Sequence, residues 1–147
     1  MDDSKFQFKG FSIIRSLIER SGNNTSKKLS LGFTPKGIIN KGEETFQLHL
    51  GVKIEDENKS LKIEIEAVAN YTFASKTGLD SLSNFFYINA PALLFPYIRA
   101  YISTLTNLSG FEPINLPTLN MTSLGDDLKK NTKEVINRNI AIKEPAQ

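Results

Sequence analysis

The sequence predicts an α+β domain: a four-stranded antiparallel sheet with a long apolar helix on one face, then an extended apolar loop and a charged C-terminal helix. Three observations lead there. Residues 45–55 and 61–73 alternate apolar and polar side chains with period two across a polar turn, the pattern of an antiparallel hairpin with one dry and one wet face. Residues 67–125 carry four charges, Lys76, Asp80, Arg99 and Glu112, and nine of the fourteen aromatic residues, so that span is buried, binds something apolar, or both. From Thr122 onward the chain becomes charged and amphipathic. A length of 147 residues suits one domain with a real core and is too short for two comfortable ones.

In chain order, residues 1–5 are expected to fray. Residues 6–20 fit two periods: Phe6 and Phe8 alternate as in a strand, while Phe11, Ile14, Leu17 and Ile18 also fit a helical face. The β-branched Ile13, Ile14 and Ile18 favour a strand, with Gly10 marking a bulge or bend. Residues 21–26 form a loop by composition. Leu29, Leu31 and Phe33 begin a second strand; Pro35 and Gly37 interrupt or end it and argue for an edge, and Ile38 and Ile39 extend it before Lys41-Gly42 turns the chain. In the hairpin, Phe46, Leu48, Leu50, Val52 and Ile54 face Leu61, Ile63, Ile65, Ala67, Ala69, Tyr71 and Phe73 on the dry side. The small Ala67 and Ala69 leave room for a helix to pack close.

Residues 75–83 are polar and turn-rich, and Leu82, Phe85, Phe86 and Ile88 lead the chain back to the apolar segment. Asn89 is a good helix N-cap and Pro91 is tolerated in a first turn. Inside a helix Pro96 would cost about 3 kcal/mol, so the helix is expected from about Pro96 to Ser109. Tyr97, Ile98, Tyr101, Ile102 and Leu105 give it an apolar arc wider than one contact needs, with Arg99, Ser103, Thr106 and Asn107 opposite. One contact is with the sheet, and these five residues are assigned to a second contact, an oligomer interface. Gly110 fits the left-handed position after the helix, and Pro113 prevents its resumption. Pro113 and Pro117 keep the next segment extended, with Phe111, Ile114, Leu116, Leu119 and Met121 as its apolar side. Asp126 and Asp127 near a helix start, then Lys129, Lys130 and Lys133, predict a C-terminal helix over 122–138. Residues 139–147 are expected to be a disordered tail.

Composition excludes several functions. With no cysteine there is no disulfide framework and no thiolate chemistry. The single histidine, His49, sits on the wet side of a strand and reads as a solvated side chain. Metal ligands lack the His and Cys spacing of a zinc cluster, the nine scattered glycines make no phosphate loop, and Glu64 with Glu66 reads as a pair of solvent-facing charges. No catalytic residue, metal or cofactor is expected. No run reaches the length of a transmembrane helix and the N-terminus has no signal pattern, which suits a cytoplasmic protein without membrane insertion. A net charge of +2 gives no reason to expect nucleic acid. Arg99, the one charge on the apolar helix, has three open roles: pairing with a carboxylate, capping carbonyls, or facing water.

Leu94-Phe95-Pro96-Tyr97-Ile98-Arg99, a helix of about this length, and then Gly110-Phe111-x-Pro113-x-Asn115-Leu116-x-x-x-Asn120 resemble the SecB family of protein-export chaperones. Ile98, the shorter helix–loop junction and Thr118-Leu119 depart from that family's pattern. The resemblance implies a homotetramer, built as a dimer of dimers, and an ATP-independent holding chaperone that binds unfolded polypeptide clients in a long apolar groove. On the matching positions the groove wall is Phe111, Pro113, Ile114, Leu116 and Leu119, with Met121 beside it and Phe33, Ile38 and Ile39 as contributors on physical grounds. The family hands clients to the SecA motor through an acidic sheet face. Here that face mixes Glu55, Glu64 and Glu66 with Lys53 and Lys62, and the isoelectric point is about 8.8, so coupling to SecA is doubtful. Two alternatives stand beside general export: a SecB-like chaperone dedicated to one client such as an antitoxin, and a small regulatory nucleic-acid-binding protein that uses its basic tail.

Overall fold

In the computed structural model, which describes residues 6–22, 24–74 and 79–135, the elements are β1 (Gln7–Arg20), β2 (Leu29–Asn40), β3 (Thr45–Asp56), β4 (Leu61–Thr72), α1 (Leu79–Leu108), α2 (Met121–Lys130) and β5 (Thr132–Val135). The expectations for residues 1–5, for 75–78 and for everything after Val135, the 139–147 tail included, lie outside the described residues. The sheet order is β1-β4-β3-β2-β5. All neighbours are antiparallel except the β2–β5 pair, which is parallel.

The β3–β4 hairpin forms the centre of the sheet as its alternation predicts, and every dry-side residue named above is buried. Its turn is less solvated than its composition implies. Asp56 is 3% exposed and accepts from the Ser60 amide at 2.7 Å, the Leu61 amide at 2.8 Å, the Ser60 hydroxyl at 3.0 Å and the Ser26 amide at 2.8 Å. The last bond ties the β1–β2 loop to the hairpin. Burial pushes the Asp56 carboxyl up, but the bonds from Ser26, Leu61 and Ser60 outweigh it and hold the group at about 2.

β1 is a strand, with register shifts at Phe8/Phe11 and Ile13/Arg15. Gly10 takes φ +114 at the first shift, a conformation that favours glycine. β2 runs unbroken through Pro35. The Pro35 carbonyl accepts from the Asn131 side chain at 3.3 Å, on the side away from β3. The missing N–H points the same way, so the ladder to β3 loses nothing.

α1 is a correction. It starts at Leu79 rather than near Pro96, and both Pro91 and Pro96 lie inside its 30 residues. Two prolines cost about 3 kcal/mol each. Phe86, Leu94, Ile98 and Ile102 are all at most 2% exposed against the sheet. Burial of each is worth roughly 1.5–3 kcal/mol, which meets or exceeds that cost. Ala90 sits over Tyr71, whose hydroxyl donates to the Ala90 carbonyl. Gly125 of α2 packs on the Tyr87 carbonyl that Pro91 deprives of its helical donor; a Cβ there would lie 3.0 Å from that oxygen.

The C-terminal segment is a second correction. α2 ends at Lys130 and is followed by a fifth strand instead of more helix. Asn120 caps α2, accepting from the Thr122 and Ser123 amides at 3.0 and 3.2 Å. Asp126 and Asp127 therefore fall mid-helix rather than at its start. β5 pairs with Gly37–Asn40. A Cβ on Gly37 would lie 2.5 Å from Thr132 Oγ1 and 2.8 Å from the Phe46 ring, so the glycine is what lets β5 approach.

Candidate functional site

The apolar loop is pinned at both ends. At the end of α1 the Gly110 amide donates to Asn107 O at 3.3 Å and the Phe111 amide to Thr106 O at 2.9 Å, with Gly110 at φ +90. This is a Schellman stop. One turn back, the buried Thr106 hydroxyl donates to Ile102 O at 2.9 Å and accepts from the Ile114 amide at 2.9 Å. The Ser103 hydroxyl meets Asn115 Oδ1 at 3.3 Å. The loop thus runs back along α1, buries Leu116 at 5% exposure, and ends in the Asn120 cap.

Between the far end of this loop, the start of α2 and β2 lies a groove of about 290 Å³ lined by Phe33, Leu119, Asn120, Ser123, Leu124 and Asp127. Phe33 packs edge-on against Phe95 at 6.1 Å between ring centroids. Beside it, β2 pairs with β5 at Gly37–Asn40. From Leu29 to Thr34 its outer edge has no strand partner among the described residues.

The groove residues expected from the sequence divide. Phe33 and Leu119 line one cavity. Phe111, Ile114 and Met121 are half-buried, and the Arg20 guanidinium covers the Phe111 ring at 4.1 Å. Pro113 is exposed and Leu116 is core packing. Ile38 lies on the opposite face of the sheet from Phe33, opposite Gln47, 36% exposed, because the two differ by an odd number of residues. Of the five interface residues, Ile98 and Ile102 are fully buried in the chain's own core. Tyr97 is 47% exposed and leans on Phe8 and Phe11; Tyr101 and Leu105 are half-buried, and the Tyr101 hydroxyl reaches Ser16 at 2.8 Å.

The sequence reading missed Thr106, Ser123, Leu124 and Asp127. For Thr106 the signal was spacing: it continues the Ile98–Ile102 stripe, but its hydroxyl placed it among polar residues. Asp127 had no signal, since its place depends on where α2 begins.

Among the described residues the sheet's outer face carries no assembled catalytic pair. Glu64 is engaged by Arg15 at 2.9 Å and by Lys62 at 3.9 Å, and the Arg15 bond holds its carboxyl below the usual range. His49 Nε2 lies 2.8 Å from Gln47 Oε1, and Gln47 donates onward to Asn70 at 3.0 Å; an acceptor oxygen there puts the proton on Nε2. A shallow saddle of about 320 Å³ over Gly51 is ringed by Lys36, Lys53, Glu64 and Glu66. Among the described residues no three His, Cys, Asp or Glu side chains group as metal ligands.

The fold thus sets a pinned apolar loop beside a strand edge that is open among the described residues. The sequence profile of the preprotein translocase subunit SecB family matches residues 26–131, and the chain belongs to that non-enzymatic family, as its helix-and-loop motif implied. The protein-export protein SecB of Ruegeria sp. is 28% identical over 87 residues, 56% of this chain and 52% of that protein. An uncharacterized protein of Methanocaldococcus jannaschii is 36% identical over 56 residues, 38% of this chain and 36% of its own length. The chain therefore spans about half or less of these relatives. The Mycobacterium tuberculosis Rv1957 SecB-like chaperone, solved with a ChAD peptide from the HigA1 antitoxin, shares the fold: its TM-score is 0.67 at 17% identity, covering 79% of this chain and 91% of that one.

Proposed function

We propose that this protein is an ATP-independent holding chaperone that takes extended, non-native polypeptide segments into the groove between β2 and the 111–120 loop. The observation that carries the reading is the open Leu29–Thr34 edge beside the Phe33 and Leu119 walls, in a chain of the SecB family. A client strand laid along that edge gains backbone hydrogen bonds. It buries alternate apolar side chains at roughly 25 cal/mol per Å². No turnover is involved.

Self-association belongs to the proposal. Leu93, Tyr97 and Leu108 are exposed along α1 at 41%, 47% and 79%, and with Ala100 they form an outward stripe suited to a second copy. A homotetramer would present several grooves to one client and gain avidity through effective concentration. Among the described residues no helix is long and apolar enough to cross a membrane, and a cytoplasmic site of action is part of the reading.

The mixed charge around the outer saddle gives little steering toward a basic motor tail. We therefore favour a chaperone dedicated to particular clients over general delivery to SecA; the SecB-like neighbour solved with an antitoxin peptide supports that preference. The test is light scattering of a chemically denatured client diluted with and without this protein and without ATP. Suppression that weakens in folded Leu119→Asp supports holding. A folded, assembled protein that suppresses nothing overturns it.

A further inference from the structure

The edge of β2 that faces the groove is shared with the chain's own last strand. Phe33, Gly37 and Ile39 lie on one face of β2, because they are an even number of residues apart. Phe33 lines the groove. Farther along the same row, Thr132 of β5 fills the space left by Gly37. Its Oγ1 is 2.5 Å from where a Gly37 Cβ would stand, and the Phe46 ring lies 2.8 Å from the same point. The row that begins at Phe33 thus continues under β5 into a notch beside the Phe46 ring. What closes that half of the edge is a strand of 4 residues.

β5 is lightly held. Thr132 and Val135 are half-buried, Lys133 and Glu134 are exposed, and none of them belongs to the core. Its ladder to Gly37–Asn40 is parallel, the less stable sense of pairing per residue. Lys41 meets Glu134 at 3.6 Å with both side chains about half exposed, a pair worth little in water. Tyr87 shares a hydrogen bond with Thr132. The shortest bond, from Thr132 Oγ1 to Leu128 O at 2.6 Å, is made to α2 and holds nothing to the sheet. Where the strand begins, the Gly37 amide donates to Asn131 O at 3.2 Å and the Asn131 side chain to Pro35 O at 3.3 Å, both on the long side for such bonds. An element with so few buried apolar contacts belongs to the least stable part of a fold.

We infer that β5 is a displaceable strand: it closes the Gly37–Asn40 half of the edge while no client is present, and it gives way to a client that pairs along the whole of β2. This rests on the reading that clients lie on the Leu29–Thr34 edge, and it adds how that edge is guarded. The exchange trades like for like. A client backbone takes over the ladder of β5, in the more stable sense when it enters antiparallel, and a client side chain enters the notch that Thr132 vacates. One donor is missing along the way, at Pro35. Without a client the protein shows a short free edge instead of a long one, which limits pairing between copies.

The test uses a bridge on the face of the sheet away from the groove. Ile38 and Lys133 are paired across the two strands, and the chain has no cysteine. Ile38→Cys combined with Lys133→Cys therefore gives one disulfide, which locks β5 when oxidised and frees it when reduced. Two capped peptides of alternating tyrosine and serine are titrated into the full protein. One has six residues, enough for the open edge alone; the other has 12, the length of β2. In the reduced protein the long peptide should bind about tenfold tighter than the short one, the gain from one or two further backbone hydrogen bonds. Oxidation should remove that gain and leave the short peptide within about twofold of its affinity. In wild-type protein, saturation with the long peptide should speed hydrogen exchange at the β5 amides while β3 amides stay as they were, and the short peptide should change neither. A long peptide that binds the oxidised and reduced forms equally, or that leaves the β5 amides as protected as before, overturns the displaceable strand while the groove reading stands. Weakening of both peptides alike by oxidation overturns it too, since the bridge then acts on the groove itself. If neither peptide binds the folded, reduced protein, the groove reading fails and this one with it.

Discussion

Replacing Thr106 by valine tests whether one hydroxyl holds the groove wall in place. Valine has nearly the same shape, so no cavity forms, and the change isolates the bonds that Oγ1 makes: its hydroxyl proton is shared between Ile102 O at 2.9 Å and Ser103 O at 3.1 Å, and the oxygen accepts from the Ile114 amide at 2.9 Å. A neutral hydrogen bond contributes about 1 kcal/mol net, and a buried N–H left without an acceptor costs about 1–3 kcal/mol. The Ile114 amide is partly buried, and lifting the loop would let it reach water. The expected loss is therefore about 1–2 kcal/mol, close to a 1 M fall in the urea midpoint for a slope of about 1–2 kcal/mol/M. The sharper readout is local. Native-state hydrogen exchange at the Ile114 amide should accelerate about five- to thirtyfold at 1.4 kcal/mol per factor of ten, while β3 amides follow only the global change. Client suppression should fall as Leu119 loses its place. Thr106→Ser, which keeps these bonds, should spare the Ile114 amide. If valine lowers the midpoint but Ile114 exchanges no faster than the β3 amides, the loop is held by Leu116 packing and the hydroxyl is incidental.

Gly37→Ala should destabilise by about 1–3 kcal/mol through overpacking, because the new methyl meets both Thr132 Oγ1 and the Phe46 ring. Thermal melts with Thr132→Ala added should recover part of the loss, and full recovery would show that the ring is not a constraint. The Asp56 carboxyl, held at about 2 in the folded chain against its ordinary 3.8, is depressed by folding. Its contribution is therefore present above about pH 4 and lost as pH falls toward 2. Urea midpoints between pH 7 and 2.5 should fall less steeply in Asp56→Asn than in wild type; parallel curves would mean the four-bond turn is not what acid breaks. Tyr97→Asp should shift sedimentation toward smaller species at little cost in stability, since that side chain is 47% exposed; an unchanged assembly would place the interface elsewhere.

The sheet was legible because period-two alternation is a direct imprint of a strand with one dry face. That signal located β3 and β4; over residues 11–20 two periods fitted, β-branched residues only favoured a strand, and pairing with β4 is what decides it. The helix was less legible because local rules and tertiary packing disagree over Pro91 and Pro96. A proline cost near 3 kcal/mol ends a helix judged by itself, yet α1 is held by Phe86, Leu94, Ile98 and Ile102 against the sheet. The same blindness gave Ile98 and Ile102 to an interface: a wide apolar arc shows that two surfaces will be covered, not which residue faces which. β5 was illegible for a different reason. Its four residues, Thr132 to Val135, have no strand pattern of their own and pair because Gly37 leaves space on β2.

Pro35 links these failures to the site. Its carbonyl faces Asn131, so its ring faces the outer edge of β2, where a continuing strand would need an N–H. β5 occupies the edge at Gly37–Asn40, and the proline withholds the next donor, which keeps a parallel neighbour from zipping further along. The edge is thus divided. One side of Pro35 is closed by the chain's own strand, and the other, Leu29 to Thr34, stays open beside Phe33 and Leu119. An exposed apolar edge is ordinarily an aggregation hazard. Here it is short, blunted by a proline at one end and roofed by a loop pinned through Thr106. Those constraints are what the proposed holding role requires: an edge open to an extended strand from another protein that does not join its own kind into a fibre.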